Sequence, residues 1–330
     1  SYKLRAYQEK IKTLTTQIYL EKLEYFYDKY GITLKKISNF VGEIDFYKSN
    51  AKTSILFGYH KPEIDEEKDQ SFISVKDLRH PIIERIQTET EYVPNDVCLG
   101  YTGLNGMLLY GCNAVGKSSM MKAIGLNIIM AQAGLYVSAS NFVYKPFHYM
   151  FTRISDNDNI LKGQSSFAVE MSELRSILKR SNKNSIVLGD ELCSGTESVS
   201  AQSIFASSVV RLSERNVNFV FATHLHELYK LELIKQLDNV KSFHLKVIFD
   251  DDTKKLIYDR KLEEGNGPAI YGLEVCKAMD LDPDFLKLAN EIRRGLLGID
   301  EKIHETKTSP YNKNMYLHKC SICDKPAVDT

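Results

Sequence analysis

The sequence predicts an α/β domain with a mostly parallel β-sheet, preceded by long helices. Short apolar runs such as MLLYG, SIVLGDEL and NFVFATH alternate with longer stretches of helical character. Strands separated by helices are joined by crossover connections, which place neighbouring strands parallel to each other. The runs also end in polar residues, and ligands of parallel sheets bind beyond the carboxyl ends of the strands. The same pattern therefore predicts both the fold and the edge of the sheet that carries the site.

Composition limits the class of protein but does not identify a partner. The 330 residues include 43 basic and 43 acidic side chains, so net charge does not indicate a nucleic-acid partner, although a local basic face is compatible with this total. Six scattered cysteines do not form a disulfide scaffold, which predicts an intracellular, reducing compartment; cytoplasm, nucleus, mitochondrion and virus factory stay open. No apolar run reaches the roughly 18 residues that cross a bilayer, so we expect no membrane partner. The first residues lack Met and signal-peptide character, which predicts a piece of a longer protein.

The N-terminal region is predicted to form long helices. Apolar residues recur at helical intervals, which predicts an amphipathic helix of about two dozen residues ended by Gly31 and a second helix over 32–51. The charged stretch 61–70 is predicted to be a linker. Two roles stay open for the helices: a lever that leans on another part of the protein, or an ordinary packing layer. The apolar residues of the first helix are Leu4, Tyr7, Ile11, Leu14, Ile18, Tyr19 and Leu23.

Beyond this stretch, predicted strands and helices alternate. Each apolar run is too short for a helix, whereas the two long stretches have the length and period of helices. The predicted strands cover 72–78, 107–111, 185–192 and 218–224, and the predicted helices cover 118–134 and 283–298.

A glycine-rich turn joins one predicted strand to the first of these helices. The stretch GCNAVGKS, residues 111–118, fits the pattern G-x-x-x-x-G-K-[ST] at every fixed position. Glycines let backbone N–H groups turn towards phosphate oxygens, and the helix N-terminus adds the positive end of its dipole. Lys117 is expected to reach the β- and γ-phosphates of a nucleoside triphosphate, and Ser118 to bind Mg²⁺. The residues expected to bind nucleotide at this turn are Gly111, Ala114, Val115, Gly116, Lys117, Ser118 and Ser119.

Two further strand ends carry candidate catalytic groups. Asp190 and Glu191 end the run SIVLGDE, and His224 ends NFVFATH. Asp190 is expected to hold Mg²⁺, and Glu191 to act as the general base that orients the attacking water. His224 is expected to approach the γ-phosphate or that water. Paired acids at a strand end are often surface charges, and a lone histidine is usually structural, but the glycine turn upstream favours the functional interpretation.

The chain resembles the C-terminal ATPase region of the MutS family of DNA mismatch-repair proteins. The resemblance extends from about residue 78 to 288, and the GxN before AVGKS and the long IMAQAG helix distinguish it from transporters and chromosome-condensing ATPases. It implies an ABC-type P-loop ATPase that uses ATP and Mg²⁺ and acts in DNA mismatch repair. The stretches that carry it are LRHPIIE, EYVPNDV, YGCNAVGKSSMMKAIGLNIIMAQAGLYV, FTRISDNDNILKGQSSFAVEMSEL, VLGDELCSGTES, FATHLHEL and IYGLEVCKAMDLDPDFLKLA.

The resemblance also implies residue roles that the motifs alone do not. Family members act as homo- or heterodimers in which ATP is shared, and Ser165 in GQSSF would reach the partner's γ-phosphate; from the residues alone it is equally a helix cap. Asn113 matches the asparagine of the family's phosphate loop. Tyr92 matches the aromatic residue that stacks on adenine, although by itself it indicates a strand core. Arg260 is assigned to the opposite face of adenine through a cation–π contact.

The sequence departs from the family pattern at several positions. Where the family usually has DEIGRGTS, this chain has DELCSGTES, so Cys193 and Ser194 replace a Gly-Arg pair. Residues at this place help to couple the two nucleotide sites, so we expect that coupling to differ. Cys112 stands where the family prefers proline and Val115 where it often has glycine. Neither change removes a phosphate-binding side chain, so ATP binding is expected to persist.

The two ends of the chain indicate further parts. We expect lever helices over 1–62, which resemble the connection between the family's ATPase and its DNA clamp, the ATPase domain over 63–298, and a linker with the start of another module over 299–330. Cys320 and Cys323 have the spacing of half a zinc site, with His318 nearby. They form either two surface thiols or a Zn²⁺ site completed downstream, and some branches of the family carry a C-terminal HNH nuclease there.

Three functions follow from this sequence. The first is an ATPase of DNA mismatch repair, which couples ATP at a dimer interface to a clamp on mismatched double-stranded DNA. The second is a relative that acts on recombination intermediates or branched DNA. The third is a structural clamp that binds ATP but barely hydrolyses it, with a fused nuclease. Glu191 disfavours the third, because a site that does not hydrolyse ATP does not need the base. The domain that the family uses to probe mismatches has no counterpart in this stretch, so DNA recognition is expected outside it.

Overall fold

The computed structural model describes residues 2–87, 91–111, 115–153, 166–193, 196–250, 255–267, 273, 276–277, 279 and 281–296. These fall into two compact units, one of residues 1–248 and 257–269 and the other of residues 249–256 and those from 270 onward. In chain order the elements are α1 (Tyr2–Phe57), β1 (Glu63–Ile64), β2 (Phe72–Leu78), α2 (Ile83–Ile86), β3 (Asn95–Leu99), β4 (Gly106–Tyr110), α3 (Lys117–Gln132), β5 (Asn141–Lys145), β6 (Tyr149–Arg153), α4 (Ser166–Arg180), β7 (Ser185–Asp190), α5 (Ser198–Glu214), β8 (Asn218–Thr223), a 3-10 helix (His226–Lys230), α6 (Glu232–Lys235), β9 (Val240–Leu245), β10 (Ile248–Asp250), β11 (Lys255–Ile257), β12 (Leu262–Glu264) and α7 (Pro283–Leu296).

The N-terminal region is one helix, so the predicted break at Gly31 is wrong. Helix α1 runs without interruption through this glycine. A glycine inside a helix costs about 1 kcal/mol relative to alanine, which the hydrogen bonds of two long flanking segments easily outweigh. Of the residues of α1, all of them described, Ser54 alone is buried. The predicted apolar face is therefore present but not covered: its exposed fractions run from 46% at Leu23 to 66% at Tyr7.

The charged stretch 61–70 is also not a plain linker. It contains β1, which pairs in parallel with β5 at Val143 and Tyr144. The next backbone N–H, that of Asp65, donates to the carbonyl of Tyr144 at 3.0 Å. Strand pairing uses backbone groups, so charged side chains that point to solvent do not prevent it. The α/β part consequently begins within this stretch, at β1.

The first sheet has the order β1–β5–β2–β3 and is antiparallel except for the pair β1–β5. The sequence predicted β2 but not the strands on either side of it. Both are strands of five residues with mixed polarity, and they lack the uniform apolar run that marks a strand buried on both faces. This sheet packs against α3 through a shared core that includes Ile73, Val97 and Ile124.

The second sheet has the order β12–β9–β4–β8–β7–β6 and carries the candidate site. Every neighbouring pair is parallel except β12 with β9, which confirms the predicted, mostly parallel sheet. Its central strands are buried on both faces: Leu109 belongs to the core shared with α3, whereas Leu108 belongs to a second core shared with α5. Parallel pairing brings Tyr110 opposite Thr223, and Asp190 opposite Ala222, at one edge of the sheet.

Among the described residues, strands β10 and β11 and helix α7 contribute none to the candidate site. Strands β10 and β11 form a two-stranded sheet of their own. Helix α7 confirms the predicted final helix and exposes Phe285, Leu288 and Ile292. None of the helices in the described ranges is long and apolar enough to cross a membrane.

Candidate active site

The glycine turn lies between β4 and α3, as predicted. Gly111 and Gly116 have φ of +146° and +114°, a region that residues with a side chain rarely adopt. A Cβ on Gly111 would also lie 3.1 Å from the Val115 side chain. Helix α3 starts directly after Gly116, and no side chain caps it. The first N–H groups of a helix have no partner within it, so the start of α3 suits an anion.

Lys117 lies at the centre of the site. Its side chain is buried, with 5% of the residue exposed, and its Nζ donates to the carbonyl of Gly111 at 2.7 Å. Nζ is also 3.4 Å from Nε2 of His224 at the end of β8. The lysine therefore bridges the glycine turn and the neighbouring strand. Its ammonium group lies beside Gly111, at the start of the turn that the motif predicts to hold phosphate.

Ser118 and Asp190 meet at the carboxyl end of β7. The Ser118 hydroxyl donates to Oδ2 of Asp190, and Oδ1 of the same carboxylate is buried and has no hydrogen-bond partner among the described residues. A hydroxyl and a carboxylate oxygen are hard ligands that suit Mg²⁺, which keeps several waters and binds few protein groups. No cluster of three or more His, Cys, Asp or Glu side chains occurs among the described residues. The residues present fit a magnesium ion.

Glu191 follows Asp190 with a left-handed backbone conformation, and its side chain contacts His224. Its φ is +50°, and its N–H donates to the carbonyl of Ala222 at 3.0 Å. The side chain is 44% exposed, and its Oε1 lies 2.7 Å from Nε2 of His224. The next residues, Leu192 and Cys193, are buried in the second core. The Glu191 carboxylate is therefore exposed to solvent, whereas the two residues that follow it are buried.

Tyr92 and Arg260 line one cavity beside the glycine turn. Its volume is about 200 Å³, and it is also bordered by Val115, Gly116 and Ser119. Burial raises the pKa of Tyr92 to about 12, so the phenol is neutral at physiological pH. Arg260 has φ of +59°, and its Nε is buried with no hydrogen-bond partner in the part of the chain that the structure describes. The cavity has the size of a heterocyclic base, with an aromatic ring and a guanidinium group on its walls.

Asn95 connects the segments that form this cavity, and the sequence analysis did not identify it. Its side-chain amide donates to the carbonyl of Arg260 at 3.0 Å and accepts from the N–H of Leu262 at 2.7 Å. The asparagine thus keeps the left-handed residue in place. No signal in the sequence pointed to it, because β3 was not predicted and the role of a buried polar residue shows only when its partner is known.

Several predicted residues lie outside the described ranges. This applies to three residues of the glycine turn, to the serine assigned to the partner's nucleotide, to one of the residues that replace the family's Gly-Arg pair, and to the cysteine pair near the C-terminus with its neighbouring histidine. Their proposed roles stay predictions from the sequence. The residues are Cys112, Asn113, Ala114, Ser165, Ser194, His318, Cys320 and Cys323.

Comparison with known proteins places these features in context. A family model described as MutS domain V matches residues 107–297, which is more than half of the chain. The chain is 37% identical over 356 aligned residues to a putative DNA mismatch repair protein mutS homolog of Acanthamoeba polyphaga mimivirus, covering 97% of the chain and 32% of the relative. It is 36% identical over 335 residues to the mitochondrial DNA mismatch repair protein mutS homolog of Sarcophyton glaucum, covering 99% and 33%. It is 34% identical over 298 residues to the DNA mismatch repair protein MutS of Thermodesulfovibrio yellowstonii, covering 88% and 34%. The chain spans about a third of the length of these relatives.

Proposed function

Because this chain belongs to the MutS family, we propose that it binds ATP with Mg²⁺, hydrolyses it, and serves as the ATPase region of a DNA mismatch repair protein. One observation carries the proposal. The ends of three neighbouring parallel strands bring Lys117, Asp190, Glu191 and His224 together around the start of α3. This arrangement provides a phosphate loop, a metal ligand and a general base within one site.

Phosphate binding is assigned to the glycine turn and α3. Lys117 already lies beside Gly111, so its ammonium group is oriented before the nucleotide arrives. Ser118 and Asp190 would hold the metal, and Asn113 and Ala114 would complete the loop. When bound, Mg²⁺ neutralises charge on the β- and γ-phosphates. Glycines at positions 111 and 116 let the backbone approach the phosphates closely.

Hydrolysis is assigned to Glu191 and His224. The Glu191 carboxylate accepts a proton from a water molecule whose oxygen attacks the γ-phosphorus, and the bond from that phosphorus to the bridging oxygen of ADP breaks. His224 holds the carboxylate through the 2.7 Å contact and is also within 3.4 Å of Lys117. The imidazole therefore lies between the base and the group that binds the γ-phosphate.

The adenine base is assigned to the cavity between Tyr92 and Arg260. Tyr92 is half-buried and can offer a ring face, whereas Arg260 offers a cation to the π-system of the base. Ser119 borders the same cavity from the first turn of α3. The adenine base and the phosphates would then both be bound by the glycine turn and the first turn of α3.

Assembly and DNA binding are proposed from family membership. We infer a homo- or heterodimer through the ATPase domain, with Ser165 reaching the nucleotide of the partner. Segment 1–62 would act as the lever towards a DNA clamp, 63–298 as the ATPase, and 299–330 as the start of another module, in which Cys320 and Cys323 would bind Zn²⁺ if a nuclease follows. The names of the relatives are those of mismatch repair proteins, which supports mismatched rather than branched DNA as the partner.

The test is ATP turnover by this chain over a wide range of protein concentrations, beside Glu191→Ala. A shared hydrolytic site predicts that turnover per molecule rises with concentration and falls by about 100-fold or more in the variant. Glu214→Ala is the control, because this glutamate is exposed. Among the described residues, its ion-pair partner is Arg211. Turnover that survives Glu191→Ala would contradict hydrolysis at this site. A flat profile that still depends on Glu191 would contradict only the shared site.

A further inference from the structure

A buried carboxylate lies behind the candidate base and has no part in the function proposed above. Glu170 is on α4 and only 3% exposed. Its Oε1 accepts a hydrogen bond from the backbone N–H of Cys193 at 2.6 Å. Buried carboxylates occur where they are paired or hydrogen-bonded, because their desolvation is unfavourable. The contact therefore points to a role for this side chain in holding the loop after β7.

That loop has a conformation that needs support. Glu191 and Cys193 both have positive φ, +50° and +69°, which side chains with a Cβ disfavour. Between them, Leu192 is buried in the second core. With Leu192 and Cys193 buried, this conformation leaves the Glu191 carboxylate exposed at the edge of the sheet assigned to the nucleotide. A relaxed loop would not hold the carboxylate there.

Two hydrogen bonds hold the strained residues in place. The N–H of Glu191 donates to the carbonyl of Ala222 on β8, and the N–H of Cys193 donates to Glu170 on α4. The first bond joins two neighbouring strands of one sheet. The second is the contact from a different layer, and a bond from an N–H to a carboxylate is stronger than one between neutral groups. Burial and the nearby Glu170 raise the pKa of the Cys193 thiol to about 11, so the thiol is neutral beside the carboxylate.

We propose that Glu170 is a positioning residue for Glu191, acting through the backbone of Cys193. The inference rests on the proposed function, because it assumes that Glu191 is the base. The proposal also connects α4 to the candidate base. This helix begins at Ser166, directly after the serine assigned to the partner's nucleotide, and Glu170 lies about one turn further on. A movement of α4 would reach Glu191 through one hydrogen bond.

The experiment compares Glu170→Ala, which removes the acceptor, with Glu170→Gln, which keeps an oxygen in the same place. Since general bases contribute about 10²–10⁴-fold, we expect Glu170→Ala to lower kcat by about ten-fold or more, and Glu170→Gln to stay within about three-fold of the parent chain. The Kd for Mg-ADP, measured by calorimetry, should change by less than about two-fold in both. Hydrogen exchange at the Cys193 amide should accelerate in the alanine variant alone. Glu173→Gln is the matched control on the same helix, because its carboxylate is 46% exposed and pairs with Arg153 at 3.3 Å.

Other outcomes would overturn the inference. It is wrong if Glu170→Ala keeps the parent kcat, if Glu170→Gln loses as much as Glu170→Ala, or if kcat and Mg-ADP affinity fall together. If the alanine variant does not fold, Glu170→Asp takes its place, because its carboxylate ends one methylene short of Cys193. Failure of the proposed function gives a different result: turnover would not depend on Glu191, while exchange at Cys193 would still report the hydrogen bond.

Discussion

Nε2 of His224 lies 2.7 Å from Oε1 of Glu191 and 3.4 Å from Nζ of Lys117. The histidine ends β8, the glutamate follows β7, and the lysine begins α3, so this contact joins three elements that are distant in sequence. It places the imidazole where it can orient the candidate base and sense the phosphate loop. Single substitutions of His224, Glu191 and Lys117 can therefore test the role of each side chain separately.

His224→Ala should impair hydrolysis more than binding. Without the imidazole, Glu191 loses its 2.7 Å partner and its carboxylate becomes free to rotate, so kcat should fall by about 10- to 100-fold. The Kd for Mg-ADP should change little, because the histidine does not contact the cavity assigned to the base. Single-turnover hydrolysis and calorimetry measure the two quantities. An equal loss of affinity would assign His224 to nucleotide binding instead.

Lys117→Met should weaken nucleotide binding. The change removes a cation from the start of the phosphate loop and leaves the Gly111 carbonyl without its 2.7 Å donor. A charge-assisted hydrogen bond contributes about 1.5–3 kcal/mol, so the Kd for Mg-ATP should rise by about ten- to hundred-fold. Lys122→Met is the control, because Lys122 is on the same helix but exposed. Equal losses in the two variants would show that general charge, and not the loop, attracts the nucleotide.

Tyr92→Ala should reduce affinity for ATP, whereas Tyr92→Phe should not. Stacking of an aromatic side chain on a base contributes about 1–3 kcal/mol, and the phenylalanine keeps the ring. Titration with a fluorescent ATP analogue labelled on the ribose measures both. If Tyr92 instead supports only the fold, Tyr92→Ala would lower the free energy of unfolding without a specific loss for ATP over inorganic triphosphate. Affinity for triphosphate alone separates these outcomes.

Cys193→Val should destabilise the fold. Cys193 is buried with φ of +69°, and a β-branched side chain strongly disfavours this region, so the free energy of unfolding should fall by about 2 kcal/mol. Cys193→Gly should stay within about 1 kcal/mol, since relief of strain offsets the lost burial. Urea unfolding measures the differences. Cys98→Val is the control, because Cys98 is in strand β3, where valine is favoured. A neutral Cys193→Val would contradict the left-handed turn.

His80 should make the fold sensitive to mild acid. Burial lowers its pKa below the ordinary value of 6.5, and its Nδ1 accepts from the N–H groups of Ile82 and Ile83. The unfolded chain therefore binds the proton more readily than the folded chain, so stability is complete above about pH 6.5 and falls as the pH drops through the lowered pKa. Urea unfolding between about pH 5 and 8 measures this slope. His80→Gln should flatten it, while His60→Gln, at an exposed position, should leave it unchanged.

The sequence predicted the central features of the site because they depend on local rules. A glycine turn between a strand and a helix, and polar residues at the ends of apolar strands, have the same meaning in any parallel sheet. Parallel pairing then brings Lys117, Asp190 and His224 to one edge without further information. The strands β4, β7 and β8 were predictable because strands buried on both faces are continuous apolar runs. The break at Gly31 was wrong because a helix-breaking propensity of one residue is small beside the cooperativity of a long helix.

By itself, then, the sequence determined the strands β4, β7 and β8, the glycine turn between β4 and α3, and the adjacency of Asp190 and Glu191. Tertiary structure decided what those neighbours do. The two adjacent carboxylates have different partners: Asp190 accepts from Ser118, whereas Glu191, whose φ is positive, contacts His224. Tertiary packing also placed Glu170 under Cys193 and brought Tyr92 into one cavity with Arg260. These relationships join residues far apart in the chain, and their geometry depends on backbone angles and packing that residue type and spacing do not specify.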